Sequence, residues 1–297
     1  MNIIKPNRLQ KGDTIAIIAP AGNVEEDKIL KAVKYFENLG YKVKLGKNIF
    51  KTDRYLAGND YERLKDLHDA FEDKNVNAIL CARGGYGCLR LIDKIDYNLI
   101  KNNPKIFCGY SDITALSLMF LKKTGLITFS SPMPKGDFQH EDIDVFTANN
   151  FWQAITSNNL NINAKNLKTY KKGDAKGIIW GGNLSTVCSL CGIDFIPDEK
   201  FIFFAEDLNE PVYKIDRSFR QLLNIAQFKN NISAIILGDF LGTEEYIDQL
   251  DTLFNEFVKE LNIPIYGGYQ ITHAKTKITV PIGSNAHLIN GVLDIKY

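Results

Sequence analysis

Three stretches of the chain carry residue types that together could cleave an amide. In Ile106-Phe-Cys-Gly-Tyr-Ser-Asp-Ile-Thr-Ala115 an apolar run ends at Gly109, a hydroxyl follows at Ser111, and a helix is predicted from about Asp112. A serine on such a strand-to-helix turn is held out of the fold, with its Oγ beside the first amides of the helix. Those amides and the positive end of the helix dipole suit a developing oxyanion, which makes Ser111 a candidate nucleophile. The same turn would also serve as a plain helix N-cap at Ser111 or Asp112, and the second glycine of G-x-S-x-G is missing.

Arg83-Gly-Gly-Tyr-Gly87 follows another apolar run and precedes a predicted helix. Three glycines in four positions allow backbone N–H groups to approach a ligand closely, as in anion-binding nests. Neither G-x-G-x-x-G nor a P-loop lysine is present, so a structural turn is the competing reading. Both this loop and Ser111 fall at carboxyl ends of predicted parallel strands, where sites are commonly built.

A serine nucleophile needs a base. Of His68, His140, His273 and His287, His68 lies among charged residues of a predicted helix, His140 in polar Gln-His-Glu-Asp, and His287 in a predicted strand or its edge. His273 lies in Tyr266-Gly-Gly-Tyr-Gln-Ile-Thr-His-Ala, a glycine-bearing loop after a predicted strand, and is the best placed of the four. The very apolar Phe201-Ile-Phe-Phe-Ala delivers Glu206 and Asp207 at its end, with Glu210 close behind. A carboxylate there could accept the Nδ1–H of a histidine and fix its tautomer. It could equally pair with Lys214 or Arg217, and residue type does not choose among the three acids.

The elements that must carry these groups alternate in kind. Strands are predicted near residues 15–19, 41–45, 76–82 and 106–110, separated by helical periods such as Ile29, Ala32, Val33, Phe36 and Leu39. That alternation implies βαβ units and a mostly parallel sheet with flanking helices over residues 1–157. The pattern fails around Asn158–Asp174, where Asn158-Asn-Leu-Asn-Ile-Asn-Ala-Lys-Asn and Lys171-Lys-Gly-Asp read as a linker over 158–174. A smaller α/β or β-rich C-terminal domain is expected over 175–297, with strands near 177–180, 201–205, 234–237, 263–266 and 278–282 and a helix face at Leu250, Leu253, Phe254, Phe257, Val258 and Leu261. The fold class is therefore α/β with two domains.

Thirty-six basic residues against 35 acidic ones leave no bulk field to draw the chain to nucleic acid or an anionic membrane. Five cysteines, an odd number, fit reduced thiols rather than a disulfide framework. Cys188-x-x-Cys191 lacks a second ligand pair at zinc spacing, so neither metal nor other cofactor is expected. No segment approaches the roughly 20 apolar residues of a membrane span. Gly12-Asp13 interrupts the faint likeness of the opening to a signal peptide, and the expected location is cytoplasmic.

Taken together, the motifs resemble the LD-carboxypeptidase family of serine peptidases almost from end to end. The blocks are Lys11-Gly-Asp-Thr-Ile-Ala-Ile-Ile-Ala-Pro-Ala21, Tyr55-Leu-Ala-Gly58, Ala82-Arg-Gly-Gly-Tyr-Gly87, Gly109-Tyr-Ser-Asp-Ile-Thr-Ala-Leu116, Trp180-Gly-Gly-Asn-Leu184, Glu206-Asp-x-x-Glu-x-x-Tyr-x-Ile-Asp-Arg217 and Val280-Pro-Ile-Gly283. The resemblance implies a Ser111–His273–Glu206 triad at the domain interface, and takes Glu206 because the family's acid is the first of its block. It implies an oxyanion hole from the N–H groups of Asp112 and a glycine of the Arg83 loop, taken as Gly85. Substrate contacts are expected from Arg83, Gly84, Trp180, Gly182 and Asn183, with Arg83 gripping a free carboxylate and core packing as the other role for Trp180.

The implied reaction releases terminal D-alanine from a murein tetrapeptide during cell-wall recycling, in a homodimer. An immunity-type branch that cleaves microcin C-like peptidyl adenylates is the alternative. That branch tends to be longer, so 297 residues favour the murein branch. One departure stands out: the family usually has glycine immediately before the histidine, and this chain has Gln270-Ile-Thr-His273. That change keeps a third reading open, a non-catalytic peptide-binding homologue.

Overall fold

The computed structural model describes residues 2–139 and 143–296, so His140 lies outside the described residues. The first half builds a parallel sheet from β1 (Thr14–Ile18), β2 (Lys42–Leu45), β3 (Val76–Cys81), β4 (Ile106–Cys108) and β5 (Thr128–Ser130). Inner strands of such a sheet are covered on both faces, which is why β1 after Thr14 and β3 after Asn77 read as apolar runs and are buried. Helices Glu26–Asn38 and Asp60–Glu72 connect them; the second starts at a capping box made by Asn59 and Glu62. Helix Thr114–Thr124 has no polar stripe because it is buried on nearly every side, from Thr114 through Leu121.

The second half adds β6 (Asn159–Asn163), β7 (Lys168–Lys171), β8 (Ala175–Asn183), β9 (Phe201–Leu208), β10 (Ile232–Leu241), β11 (Ile265–Gly267), β12 (Val280–Ile282), β13 (Asn285–Ile289) and β14 (Val292–Lys296). Eight of these form a mixed sheet in the order β6-β14-β13-β8-β9-β10-β11-β7, whose centre from β8 to β11 is parallel. The ninth, β12, leaves it and pairs antiparallel with β5, at the edge of the first sheet.

Two expectations are corrected here. The stretch read as a linker at 158–174 supplies both edge strands of the second sheet. Leu160 and Ile162 of β6 point inward while Asn159, Asn161 and Asn163 face out, a half-buried strand whose polar residues mask its period. Nor is the segment after 175 confined to one sheet, because β12 returns to the first. The two halves are therefore joined by strand pairing as well as by side chains.

Candidate active site

Ser111 sits three residues beyond the end of β4 at φ +63°, a left-handed conformation that a non-glycine residue adopts only at a cost of about 1–3 kcal/mol. The chain then turns through Ser111–Ile113 into helix Thr114–Thr124, so Ser111 occupies a strained strand-to-helix elbow. The strain is held from below. Asp112 is buried, and its Oδ2 accepts the Cys88 N–H at 2.9 Å, tying the elbow to the loop that follows β3. Burial pushes the Asp112 carboxyl above its usual range, against those hydrogen bonds.

That loop runs directly past the serine. A Cβ on Gly84 would stand 3.0 Å from Ser111 Oγ and 3.4 Å from the Asp112 nitrogen, a space only glycine leaves free. A Cβ on Gly85, at φ +108°, would instead face Gly22, 3.5 Å from its Cα. The Arg83 guanidinium donates to the Asn23 carbonyl at 3.0 Å and flanks Gly22. Arg83 pairs with no carboxylate among the described residues.

From the second sheet, Glu206 lies on β9 opposite Asn183 of β8. It is buried, and its Oε2 lies 2.7 Å from His273 Nδ1. Burial raises the Glu206 carboxyl pKa while the histidine contact lowers it. Of the three candidate acids it is the one that meets the imidazole. Asp207 accepts the Ser185 N–H at the start of helix Leu184–Ser189, and Glu210 pairs with Lys214 at 3.0 Å. His68 is elsewhere, its Nε2 accepting the Asp96 N–H at 3.1 Å, and His287 lies on β13.

Ser111 and His273 are not hydrogen-bonded to each other among the described residues. Tyr110 stands at their join, its ring edge-on to the imidazole with centroids 4.9 Å apart. Contacts between nucleophile and base commonly tighten only in the Michaelis complex. A cleft of about 470 Å³ opens beside His273, its lining including Tyr110, Gly136, Asp137, Ala274 and Lys277 but not Ser111.

The Trp180-Gly-Gly-Asn183 stretch forms the end of β8, alongside β9 and Glu206. Trp180 is fully buried among Phe195, Phe201, Phe203 and Phe228, with ring centroids 5.0–6.0 Å away, which is the core-packing role and leaves its ring no exposed face. Its position in the middle of β8, with its side chain on the inward face, decides this. A Cβ on Gly182 would meet Thr114 Cγ2 at 2.5 Å, so that face is covered by helix Thr114–Thr124. The buried Asn183 amide donates to Glu206 Oε1 at 3.3 Å and Asp207 Oδ1 at 2.9 Å, and its Oδ1 caps the next helix through Thr186. Asn183 holds Glu206 and Asp207 in place and is not among the residues lining the cleft.

Sequence reasoning missed Thr114, whose Oγ1 accepts the Asn183 N–H at 3.2 Å across the two halves, and Tyr110 and Lys277 beside His273. Thr114 and Tyr110 flank the serine and could have been found by adjacency. Lys277 gave no signal, since a lysine in the run Lys275-Thr-Lys277 reads as solvent-facing.

The LD-carboxypeptidase N-terminal domain matches residues 15–131 and the LD-carboxypeptidase C-terminal domain residues 176–288. A Bacillus subtilis protein named "Probable murein peptide carboxypeptidase" is 37% identical over 95% of this chain and 90% of its own length. Among solved structures, an MccF-like protein from Bacillus anthracis superposes with a TM-score of 0.92 at 31% identity, covering 99% of both chains. The muramoyltetrapeptide carboxypeptidase from Oxalobacter formigenes superposes at 0.86, also at 31% identity, over 96% of this chain and 99% of that one. No described helix is long and apolar enough to cross a membrane. With both halves matched and the two-domain α/β architecture shared, the chain belongs to the LD-carboxypeptidase family of serine peptidases.

Proposed function

We propose that the chain hydrolyses the L,D-peptide bond that releases terminal D-alanine from a murein tetrapeptide. The observation that carries the chemistry is the 2.7 Å contact of His273 Nδ1 with the buried Glu206, beside the Ser111 elbow. Glu206 orients the ring and stabilises the imidazolium. His273 Nε2 takes the Ser111 proton as Oγ attacks the carbonyl carbon. The N–H groups of Asp112 and Gly85 receive the oxyanion, and the imidazolium protonates the departing D-alanine nitrogen. Water, deprotonated by the same histidine, then attacks the acyl-enzyme ester and frees Ser111.

A carboxypeptidase must also hold the terminal carboxylate. Arg83, free of a carboxylate partner among the described residues and next to Gly84, fits that role through two parallel N–H donors. The muropeptide substrate itself rests on the relatives named for it. The same reading carries a cytoplasmic site of action and a homodimer, which sedimentation of the purified protein would check.

A second reading has an observation of its own in its favour. Chain length does not separate the branches as expected, because the match to the MccF-like structure covers 99% of both chains. Peptidyl-adenylate amides are therefore the alternative substrate class. The deciding assay is D-alanine release from purified tetrapeptide by the wild type and by Ser111→Ala and His273→Ala. Release lost in both variants supports the proposal; a folded wild type that releases none, yet cleaves an aminoacyl sulfamoyl adenosine, replaces the first reading with the second. A folded protein that binds the peptide and cleaves neither would be the non-catalytic homologue.

A further inference from the structure

We infer that Lys277 is a positioning residue for this hydrolysis: its buried ammonium fixes the Tyr110 ring against His273 and so sets base and nucleophile relative to each other. The inference rests on the reading of Ser111 and His273 as nucleophile and base. The Lys277 side chain is 4% exposed and that of Asp137 6%, with Nζ 2.6 Å from Asp137 Oδ1. Nζ also donates to the Tyr110 hydroxyl at 3.1 Å and lies 4.4 Å from the ring centroid. Asp137 is itself anchored, its Oδ2 accepting the Met133 N–H at 2.8 Å.

The three groups come from separate parts of the chain. Tyr110 immediately precedes the nucleophile, Asp137 follows β5, and Lys277 lies four residues beyond the base. The backbone around Lys277 is stitched to the first half as well. Its N–H donates to Thr147 Oγ1 at 2.9 Å, Thr276 Oγ1 donates to Asp144 Oδ2 at 3.1 Å, and the Thr279 N–H donates to Asn150 Oδ1 at 2.7 Å. The loop carrying His273 is thus pinned to helix Val145–Thr156 at one end, while Lys277 reaches from it to the residue before Ser111.

A buried ion pair contributes little net stability, because desolvation of both charges offsets their attraction. What this pair supplies is geometry. With the ammonium bonded to its hydroxyl, the Tyr110 ring has one orientation, and the imidazole packs on its edge. Misplacing a catalytic group by about 1 Å costs on the order of 10²-fold in rate.

The test is Lys277→Met combined with Asp137→Asn, which removes both charges together so that neither is left buried and unpaired. Circular dichroism and thermal melting establish the folded fraction. Expected is a kcat for D-alanine release lowered ~10- to 100-fold with KM within about twofold, together with displaced ¹H–¹⁵N resonances of the His273 ring while those of His68 and His287 stay in place. A kcat per folded molecule within about twofold of wild type, or His273 resonances at their wild-type positions, overturns the inference. Should wild type release no D-alanine, the substrate reading fails, and the His273 resonances alone decide the role of Lys277.

Discussion

Gly84 faces Ser111 so closely that a Cβ on it would stand 2.8 Å from the serine Cβ. The loop has little room to retreat, since the Gly84 carbonyl accepts the Gly22 N–H at 3.1 Å. An added methyl group must therefore displace the serine. Gly84→Ala is expected to fold, with an overpacking cost of about 1–3 kcal/mol, and to lose ~10²-fold or more in kcat/KM. Steady-state D-alanine release beside a thermal melt measures both; a variant within about fivefold of wild type would show that this contact does not hold the nucleophile.

Glu206→Gln keeps the size of the side chain and removes its charge. The amide cannot stabilise an imidazolium and admits the wrong tautomer of His273, the effect that costs up to about 10⁴-fold in the analogous Asp→Asn change of a serine triad. A fall in kcat of ~10²- to 10⁴-fold is expected, with KM little changed. Equal kcat in the two proteins would remove Glu206 from the reaction.

Trp180 separates a core role from a substrate contact. Trp180→Ala should destabilise by about 3–5 kcal/mol in urea unfolding, because it empties the centre of a phenylalanine cluster. Trp180→Phe should cost about 1–2 kcal/mol and leave KM unchanged. A raised KM in a stable Trp180→Phe protein would contradict the packing assignment.

Asp60 gives a pH-dependent prediction. Its carboxylate pairs with the fully buried Arg63 at 2.6 Å and with Arg90 and Lys94, and these cations hold its pKa well below the usual range, the Arg90 hydrogen bond foremost. Arg63 in turn donates to the carbonyls of Pro20 and Gly87, joining the loops after β1 and β3. A depressed folded-state pKa contributes stability that is complete above the unfolded value of about 4 and lost as pH falls toward the folded one. Asp60→Asn should therefore destabilise by about 2 kcal/mol at pH 7, between an exposed and a buried pair. The gap to wild type should close as pH is lowered below about 4, which urea titrations at several pH values would follow. A gap constant down to pH ~2.5 would mean that the charge of Asp60 is not what stabilises the loop.

Much of this protein was legible in its order of residues. Continuous apolar runs between helical periods announced the parallel sheet, since strands covered on both faces admit few polar side chains. Gly109, Ser111 and the helix after them announced the elbow, because only a few local conformations let a strand enter a helix with a side chain held outward. Signals failed where one face of an element was polar. The asparagines of β6 hid a strand whose inward Leu160 and Ile162 alone carry its period. Trp180, placed in a motif with glycines, looked like a contact until the inward face of β8 was seen to bury it.

What the sequence determined by itself was local: strand and helix alternation, the strained serine turn, the glycine loop, and a family of motifs in a fixed order. What only the tertiary structure decided was which distant groups meet. Glu206, Asp207 and Glu210 are indistinguishable as residue types, yet one reaches His273, one caps a helix and one pairs with Lys214. Lys277 is an ordinary lysine until β12 crosses to the first sheet and the loop before it brings the ammonium against Asp137 and Tyr110. The reason is range. Propensity and periodicity act over a few neighbouring residues, whereas a site closes through hydrogen bonds and burial between segments 67 to 167 residues apart.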